Sequence, residues 1–329
     1  MRFLIVGGGG FIGSNVADHL LRDGHTLRIL ERPHVRPYRE FESHEPVEWL
    51  SGDLRNVEKA NEAVRGADVV LHIASTTHPR TSNDDPVYDV ESNLISTIRL
   101  VEAMLRQYVA RIVFLSSGGT VYGTPRYLPV DEDHPTEPQV SHGIVKLAIE
   151  KYLLMYKRLQ GLQPVILRVS NPYGMRQRTD SGQGVIAAFM HRVLNGLPIE
   201  IWGDGSVVRD YLYIGDLVEA VARAASYSGD KSVFNLGSGV GTSLNEAIDL
   251  IEEVLGMDVT RRYVSGREFD VKVNVLSTAR AVQEFGWKPR VTLREGLIRT
   301  VRWMRDARSP QEKHLVAGMP ARPDQINAA

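Results

Sequence analysis

The chain has 329 residues, 39 basic and 40 acidic side chains, 43% hydrophobic residues and no cysteine. That apolar content excludes a disordered chain. A net charge of −1 gives neither nucleic acid nor an anionic membrane an electrostatic claim as partner. The missing thiols exclude disulfides, iron–sulfur clusters, thiolate zinc sites and cysteine nucleophiles, and they fit a cytoplasmic protein. Of the basic residues 31 are Arg and 8 are Lys; codon bias accounts for this except where an arginine falls inside a motif.

The first apolar run, Phe3-Leu4-Ile5-Val6, reads as a buried strand and is too short for a secretory signal. Ile12, Val16 and Leu20 then recur at helical spacing. Further strands are predicted at Leu27–Leu30, Val47–Leu50, Val69–Ile73, Ile112–Leu115 and Val165–Leu167, with long helices over 88–108 and 141–160. Short continuous apolar strands separated by helices mean parallel strands covered on both faces. The fold class is therefore α/β, a Rossmann-like doubly wound parallel sheet. After Arg168, Gly and Pro become frequent, and helices at 185–194, 216–226, 243–255 and 293–305 suggest a second, smaller α/β lobe. Phe234-Asn235-Leu236-Gly237 reads as a late strand returning to the main sheet. The expected division is 1–170 with 212–242 in the Rossmann domain, 171–211 and 243–308 in the substrate lobe, and 309–329 as a tail. Asp216 is expected to cap the helix that follows it, and Trp287 to pack under the last helix. No apolar stretch approaches the roughly 18 residues of a membrane span. His19, His25, His34 and His44 show no ligand spacing, so no metal is expected.

Gly7-Gly8-Gly9-Gly10-Phe11-Ile12-Gly13 follows the first strand directly and opens the first helix. Gly7, Gly10 and Gly13 permit a tight turn, close backbone approach to a pyrophosphate and close helix–strand packing; the helix N-terminus offers free N–H groups to the anion. This context points to dinucleotide binding. Glu31 ends the second strand, where a carboxylate accepts from the adenosine ribose and repels a 2′-phosphate, favouring NAD over NADP; the adjacent Arg32 pulls the other way. Asp53, in Gly52-Asp53-Leu54, either caps the next helix or accepts from the adenine amino group, or does both.

With the spaced glycines, five further motifs make the chain resemble the NAD-dependent epimerase/dehydratase family of extended short-chain dehydrogenases/reductases, which includes the UDP-glucose 4-epimerases. They are Gly52-Asp53-Leu54, His72-Ile73-Ala74-Ser75, Val121-Tyr122-Gly123, Arg168-Val169-Ser170-Asn171-Pro172-Tyr173-Gly174, and Gly203-Asp204-Gly205 followed by Arg209-Asp210-Tyr211. The likeness runs to about Arg305. It implies NAD held by Gly7, Gly10, Phe11, Ile12, Glu31, Asp53, Leu54, Ala74, Asn93 and Lys146. It also implies a nucleotide-sugar substrate, UDP-linked, held by Asn171, Arg209, Arg267 and Asp270. Arg209 and Arg267 suit a diphosphate because a guanidinium binds phosphate oxygens in pairs. A homodimer built on the helices near 88–108 and 141–160 is implied as well.

The resemblance implies a Tyr-x-x-x-Lys pair that takes a proton from the sugar while NAD takes a hydride. Here the motif is Ser141-His142-Gly143-Ile144-Val145-Lys146. Lys146 is in place, but the tyrosine position holds His142. Three readings stay open: a Tyr-to-His replacement in an otherwise ordinary enzyme, a natural site in which imidazole does the acid–base work, or a protein that keeps the ligand and has lost catalysis. Imidazole is a legitimate proton carrier, and a neighbouring lysine favours its neutral form. A ring shorter than a phenol needs a bridging water to reach the sugar.

A second departure is Gly118, where the family has a Ser or Thr; Ser117 or Thr120 is the expected substitute. No acid precedes Val121-Tyr122-Gly123, which argues against dehydration and decarboxylation. The expected function is 4-epimerisation of a UDP-hexose or UDP-hexuronate, impaired by His142. The alternatives are a nucleotide-sugar reductase and a non-catalytic NAD/nucleotide-sugar binder.

Overall fold

In the computed structural model, which describes residues 1–178, 184–266 and 271–306, the apolar runs become strands in the expected order. The first half contains β1 (Arg2–Val6), α1 (Phe11–Arg22), β2 (Thr26–Glu31), β3 (Val47–Ser51), α2 (Val57–Val64), β4 (Val69–His72), α3 (Pro86–Asp89), α4 (Ser96–Arg106), β5 (Arg111–Ser117), α5 (Ser141–Gln160) and β6 (Gln163–Val169). The second half contains β7 (Asn171–Tyr173), α6 (Val185–Leu194), β8 (Ile199–Trp202), β9 (Val208–Tyr213), α7 (Ile214–Ser226), β10 (Val233–Leu236), β11 (Gly241–Ser243), α8 (Leu244–Leu255), β12 (Arg261–Val264), β13 (Val273–Asn274), α9 (Ala279–Phe285) and α10 (Leu293–Asp306).

Seven parallel strands form one sheet in the order β10-β6-β5-β4-β1-β2-β3. The order in which strands are added reverses at β1, flanked by β2 on one side and β4 on the other. In open α/β sheets ligands bind outside the carboxyl ends of the strands at such a switch. Phe3, Ile5, Leu71 and Val113 face one core of the sheet and Leu4, Val70, Ile112 and Phe114 the other. The late strand does return to the main sheet, as β10 on β6. Before and after β10 the chain builds a small mixed sheet, with β9 paired to β7, β11 and β13, and a β12–β8 pair.

Several local expectations are corrected. The helix expected over 88–108 is broken: α3 leads into a π-helical turn, Val90–Ile95, before α4. The apolar spacing continues through that wide turn, so the sequence gives no sign of it. Asp216 does not cap α7. Tyr213 is the N-cap, and the Asp216 carboxylate accepts from the amides of Arg290 and Val291 at 3.0 and 2.9 Å. Trp287 is buried with Leu297, Val301 and Met304 of α10 and donates its indole N–H to the Asp216 carbonyl. Asn56, not Asp53, caps α2, accepting from Glu58 and Lys59. The segment 309–329 lies outside the described residues.

Candidate active site

The turn after β1 is shaped for an anion. Gly7 has φ +85°, and a Cβ there would meet Ala74 at 2.8 Å. A Cβ on Gly13 would stand 2.1 Å from the Gly7 carbonyl, so only glycine lets α1 pack this closely. Gly10 is the N-cap of α1, and a Cβ there would meet nothing nearer than that same carbonyl, at 3.6 Å. The first turn of α1, with Phe11 and Ile12, carries no acidic residue and no side-chain cap. Its N–H groups therefore remain for a phosphate.

Glu31 is buried at the end of β2, and burial raises its carboxyl above the usual range. Its oxygens accept from Gly9 N at 3.2 Å and Arg32 N at 3.1 Å. The Arg32 guanidinium donates to the Tyr88 hydroxyl at 3.1 Å, on the far side of the crevice. Asp53 folds back on Arg55; burial works against its charge, but the Arg55 hydrogen bonds hold it below the usual range. Leu54 is buried behind it. Ala74 N donates to Val6 O at 2.9 Å, bringing the loop after β4 across the glycine turn. The Asn93 side chain is taken up within the protein: Oδ1 accepts from Thr76 N, and Nδ2 donates to Thr76, Thr77 and Asp89. Its part is to shape that loop. An open glycine cradle, an uncapped helix start and a buried carboxylate at the strand end together fit a dinucleotide bearing free ribose hydroxyls.

The reacting centre lies between the end of β5 and the start of α5. A Cβ on Gly143 would sit 2.6 Å from the Thr120 carbonyl, so glycine at 143 lets the first turn of α5 press against Thr120. That turn of α5 carries His142 and, one turn on, Lys146. Lys146 Nζ donates to the Leu115 carbonyl at 2.9 Å and lies 4.8 Å from the Phe114 ring centre. Burial pushes its pKa down to about 8, against the pull of Asp89 and Glu150. His142 is buried; desolvation, then the Lys146 charge, push it down to about 3, with Asp89 opposing. The imidazole is therefore neutral at physiological pH.

Of the two candidate hydroxyls, Thr120 Oγ1 is buried without a hydrogen-bond partner, while Ser117 ends β5 half-buried. The family's hydroxyl position is physically closed: a Cβ on Gly118 would lie 2.5 Å from Leu276 Cδ1 and 3.1 Å from the Arg168 carbonyl.

The opposite wall comes from the small sheet. Asn171 is the register partner of Tyr211, and Asn274 of Arg209. Side chains of register partners share a face, so these four line one surface. Asn171 Nδ2 donates to Asp210 O at 3.1 Å, and Arg209 to Val271 O at 2.7 Å. Arg267 and Asp270, the other two residues expected on the nucleotide sugar, lie outside the described residues. Two groups escaped the sequence reading. The Tyr211 hydroxyl and Asn274 Oδ1 are buried without partners. Tyr211 stood in the Arg209-Asp210-Tyr211 motif and was signalled there; Asn274 had no such signal. Among the described residues, no three His, Asp or Glu side chains are placed to hold a metal ion.

A family model described as the NAD-dependent epimerase/dehydratase family matches residues 3–237. The chain is 35% identical over 310 residues to a UDP-glucose 4-epimerase of Mycolicibacterium smegmatis, covering 93% of this chain and 99% of that one. It is 33% identical over 313 residues to a dTDP-4-dehydro-6-deoxyglucose reductase of Escherichia coli, covering 92% and 97%. Among solved structures, a UDP-glucose 4-epimerase of Thermotoga maritima crystallised with UDP-glucose superposes with a TM-score of 0.88 at 33% identity, covering 93% of this chain and 99% of that one. With the glycine cradle and the Rossmann-like sheet in place, the chain belongs to the NAD-dependent epimerase/dehydratase family of extended short-chain dehydrogenases/reductases, and its cofactor is NAD.

Proposed function

We propose that this protein is an NAD-dependent UDP-sugar 4-epimerase whose proton carrier is His142 and whose turnover is held back by that residue. The glycine turn and Glu31 would hold NAD, which would supply the hydride chemistry at the sugar carbon. Lys146 holds the cofactor ribose and keeps a positive charge beside the reacting hydroxyl. Thr120 positions that hydroxyl. His142 takes its proton, directly or through one water, and returns it when the sugar is reduced on its other face. An imidazole whose pKa has been pushed down to about 3 is a weak base, so slow turnover is the expected result. Asn171, Arg209 and Tyr211 receive the nucleotide diphosphate, with Arg267 and Asp270 from the adjoining segment. The observation that supports this reading is that one turn of α5 carries buried His142 and Lys146 and packs, through Gly143, against the Thr120 backbone.

Interconversion of UDP-glucose and UDP-galactose by the wild-type protein and His142→Tyr, without added cofactor, tests it. A gain of tenfold or more in kcat for His142→Tyr is expected, because a phenol reaches further and its anion is the stronger base. A large loss would mean that imidazole is the better catalyst in this site. If neither protein turns over a nucleotide sugar yet both bind NAD, the chain is a binder and not an enzyme. The reductase relative makes a second reading concrete: such an enzyme consumes added NADH or NADPH, which an epimerase does not need.

For assembly, the reading is a homodimer. Leu94, Ile98, Tyr152 and Tyr156 line a shallow apolar groove between α4 and α5, and Ile144, Tyr152 and Leu159 are exposed along α5. Sedimentation showing monomer alone would reject it. Among the described residues no helix is long and apolar enough to cross a membrane; the compartment proposed is the cytoplasm.

A further inference from the structure

Helix α5 carries the reacting residues, yet its own sequence does not cap it. Val140 is the N-cap and offers no side-chain acceptor. Its first amides are satisfied from the segment that follows β4. Ser141 N donates to Asn83 Oδ1 at 2.9 Å, and His142 N donates to Ser82 Oγ at 3.0 Å. A third tie runs through a side chain: Ser141 Oγ donates to Asp89 Oδ2 at 2.7 Å.

Asp89 is completely buried, at 0% exposure. Its other oxygen accepts from Thr77 Oγ1 at 2.5 Å and Asn93 Nδ2 at 2.9 Å. The π-helical turn places Asp89 and Asn93 on one side, both directed at residues 76–77. A fully buried carboxylate is costly unless it is hydrogen-bonded and balanced by opposite charge. Asp89 has the hydrogen bonds, and the positive end of α5 adds to them. Only a nearby cation completes the balance.

The groups facing Lys146 are few. On α5 they are His142, whose ring is neutral, and Glu150. From β4 comes His72, likewise buried and neutral; from β5 come the Phe114 ring and the Leu115 carbonyl; from the π-helical turn comes Asp89. Glu150 is already matched: Arg168 donates to it at 2.7 Å, with both side chains buried. Asp89 is the remaining carboxylate within electrostatic reach of the Lys146 ammonium.

We propose that Asp89 is a positioning residue of the reacting centre: its buried carboxylate fastens the first turn of α5, where His142 sits, to the loop after β4, and is the counter-charge of Lys146. Asp89 does not touch the reacting atoms. It acts through Ser141 on where the imidazole stands and through the field on whether Lys146 is charged. The proposal rests on the reading of His142 and Lys146 as the reacting pair, but its test does not require turnover.

The chain has only 8 lysines, so protein labelled with 13C at lysine gives few signals, and the Lys146 signal is the one lost in Lys146→Met. In Asp89→Asn, a near-isosteric change, the Lys146 titration is expected to move down by about one pH unit, and any alkaline limb of a rate profile to move with it. An unchanged Lys146 titration in folded Asp89→Asn overturns the proposal. If Asp89→Asn does not fold, the double variant Asp89→Asn/Lys146→Met decides. Removing both charges is expected to restore folding and raise the melting temperature above that of either single variant. A double variant no more stable than additive losses predict overturns the pairing. Should the protein turn over no nucleotide sugar, the titration and the melting cycle still stand or fall by themselves.

Discussion

The two walls of the site are finished to different degrees. On the cofactor and α5 side, Glu31, Asn93, Asp89 and Lys146 each have a hydrogen-bond partner within the chain. On the substrate side, Tyr211 Oη and Asn274 Oδ1 are buried without one; on the first side Thr120 Oγ1 and His72 Nδ1 are the exceptions. A buried polar atom without a partner costs about 1–3 kcal/mol, and Tyr211 and Asn274 share one face of the small sheet. The first wall holds a resident cofactor and sets charge. On the function proposed above, the second keeps its hydrogen-bonding capacity for a substrate that comes and goes. Substitutions on the first wall should therefore affect turnover and stability together, whereas those on the second should separate binding from stability.

The largest effect belongs to Lys146→Met. It removes the cation beside the reacting hydroxyl and leaves Asp89 buried without its counter-charge. kcat is expected to fall by about 10²–10³-fold, and the variant to melt below the wild type. Steady-state kinetics beside thermal melting checks both; a loss confined to KM would contradict the placement of Lys146 at the reacting atoms.

Gly118→Ser, which restores the family's hydroxyl, tests the closed position. Its Cβ would press on Leu276 Cδ1 at 2.5 Å. Overpacking of this kind costs about 1–3 kcal/mol, and equilibrium urea unfolding should show it. Adding Leu276→Ala relieves the clash and leaves the hydroxyl in place. If Gly118→Ser alone is as stable as the wild type, Leu276 yields easily and Thr120 loses its claim to be the substitute.

Acid should weaken the reacting-centre wall in a definite direction. His142 and His72 are both pushed by burial down to about 3 in the folded protein, from an ordinary value of 6.5. The unfolded chain therefore binds more protons between those limits. The stability is fully present above pH 6.5 and is lost as pH falls toward 3. Linkage puts the loss at about 1–2 kcal/mol per imidazole at pH 5. Urea unfolding at pH 5 and pH 8 should show a smaller difference for His142→Tyr than for the wild type. An equal difference would mean that His142 is solvated.

The sequence could be read wherever function depends on neighbours in the chain. The turn Gly7 to Gly13, the strand-end Glu31 and the helix-borne Lys146 are local patterns, and the strands beside the first two are largely apolar, with Arg28 the polar interruption inside β2. The clamp on α5 was not legible: Ser82 meets His142 across 60 residues and Asp89 meets Ser141 across 52. Neither Ser82 nor Asp89 announces a partner by its spacing. Leu276 filling the space beside Gly118 is another such contact, made by an apolar residue that carries no chemical label. Where two nearby polar residues competed for a single cap, as Asp53 and Asn56 did, the three-residue offset was decided by how the chain enters α2, which composition does not encode.

The smallest effect is the sharpest test of the contrast between the walls. Tyr211→Phe deletes one oxygen that is buried without a partner. In a wall complete in itself, losing a buried hydroxyl breaks a hydrogen bond and costs stability. Here no bond is broken, and a desolvated hydroxyl is replaced by hydrogen, so the variant should melt at or slightly above the wild-type temperature. The substrate, by contrast, loses the hydrogen bond this hydroxyl would make, worth about 1 kcal/mol. KM for the UDP-sugar should therefore rise about fivefold, with kcat nearly unchanged. A clear drop in melting temperature would show that Tyr211 is bonded within the protein, and the substrate wall would then be as complete as the cofactor wall.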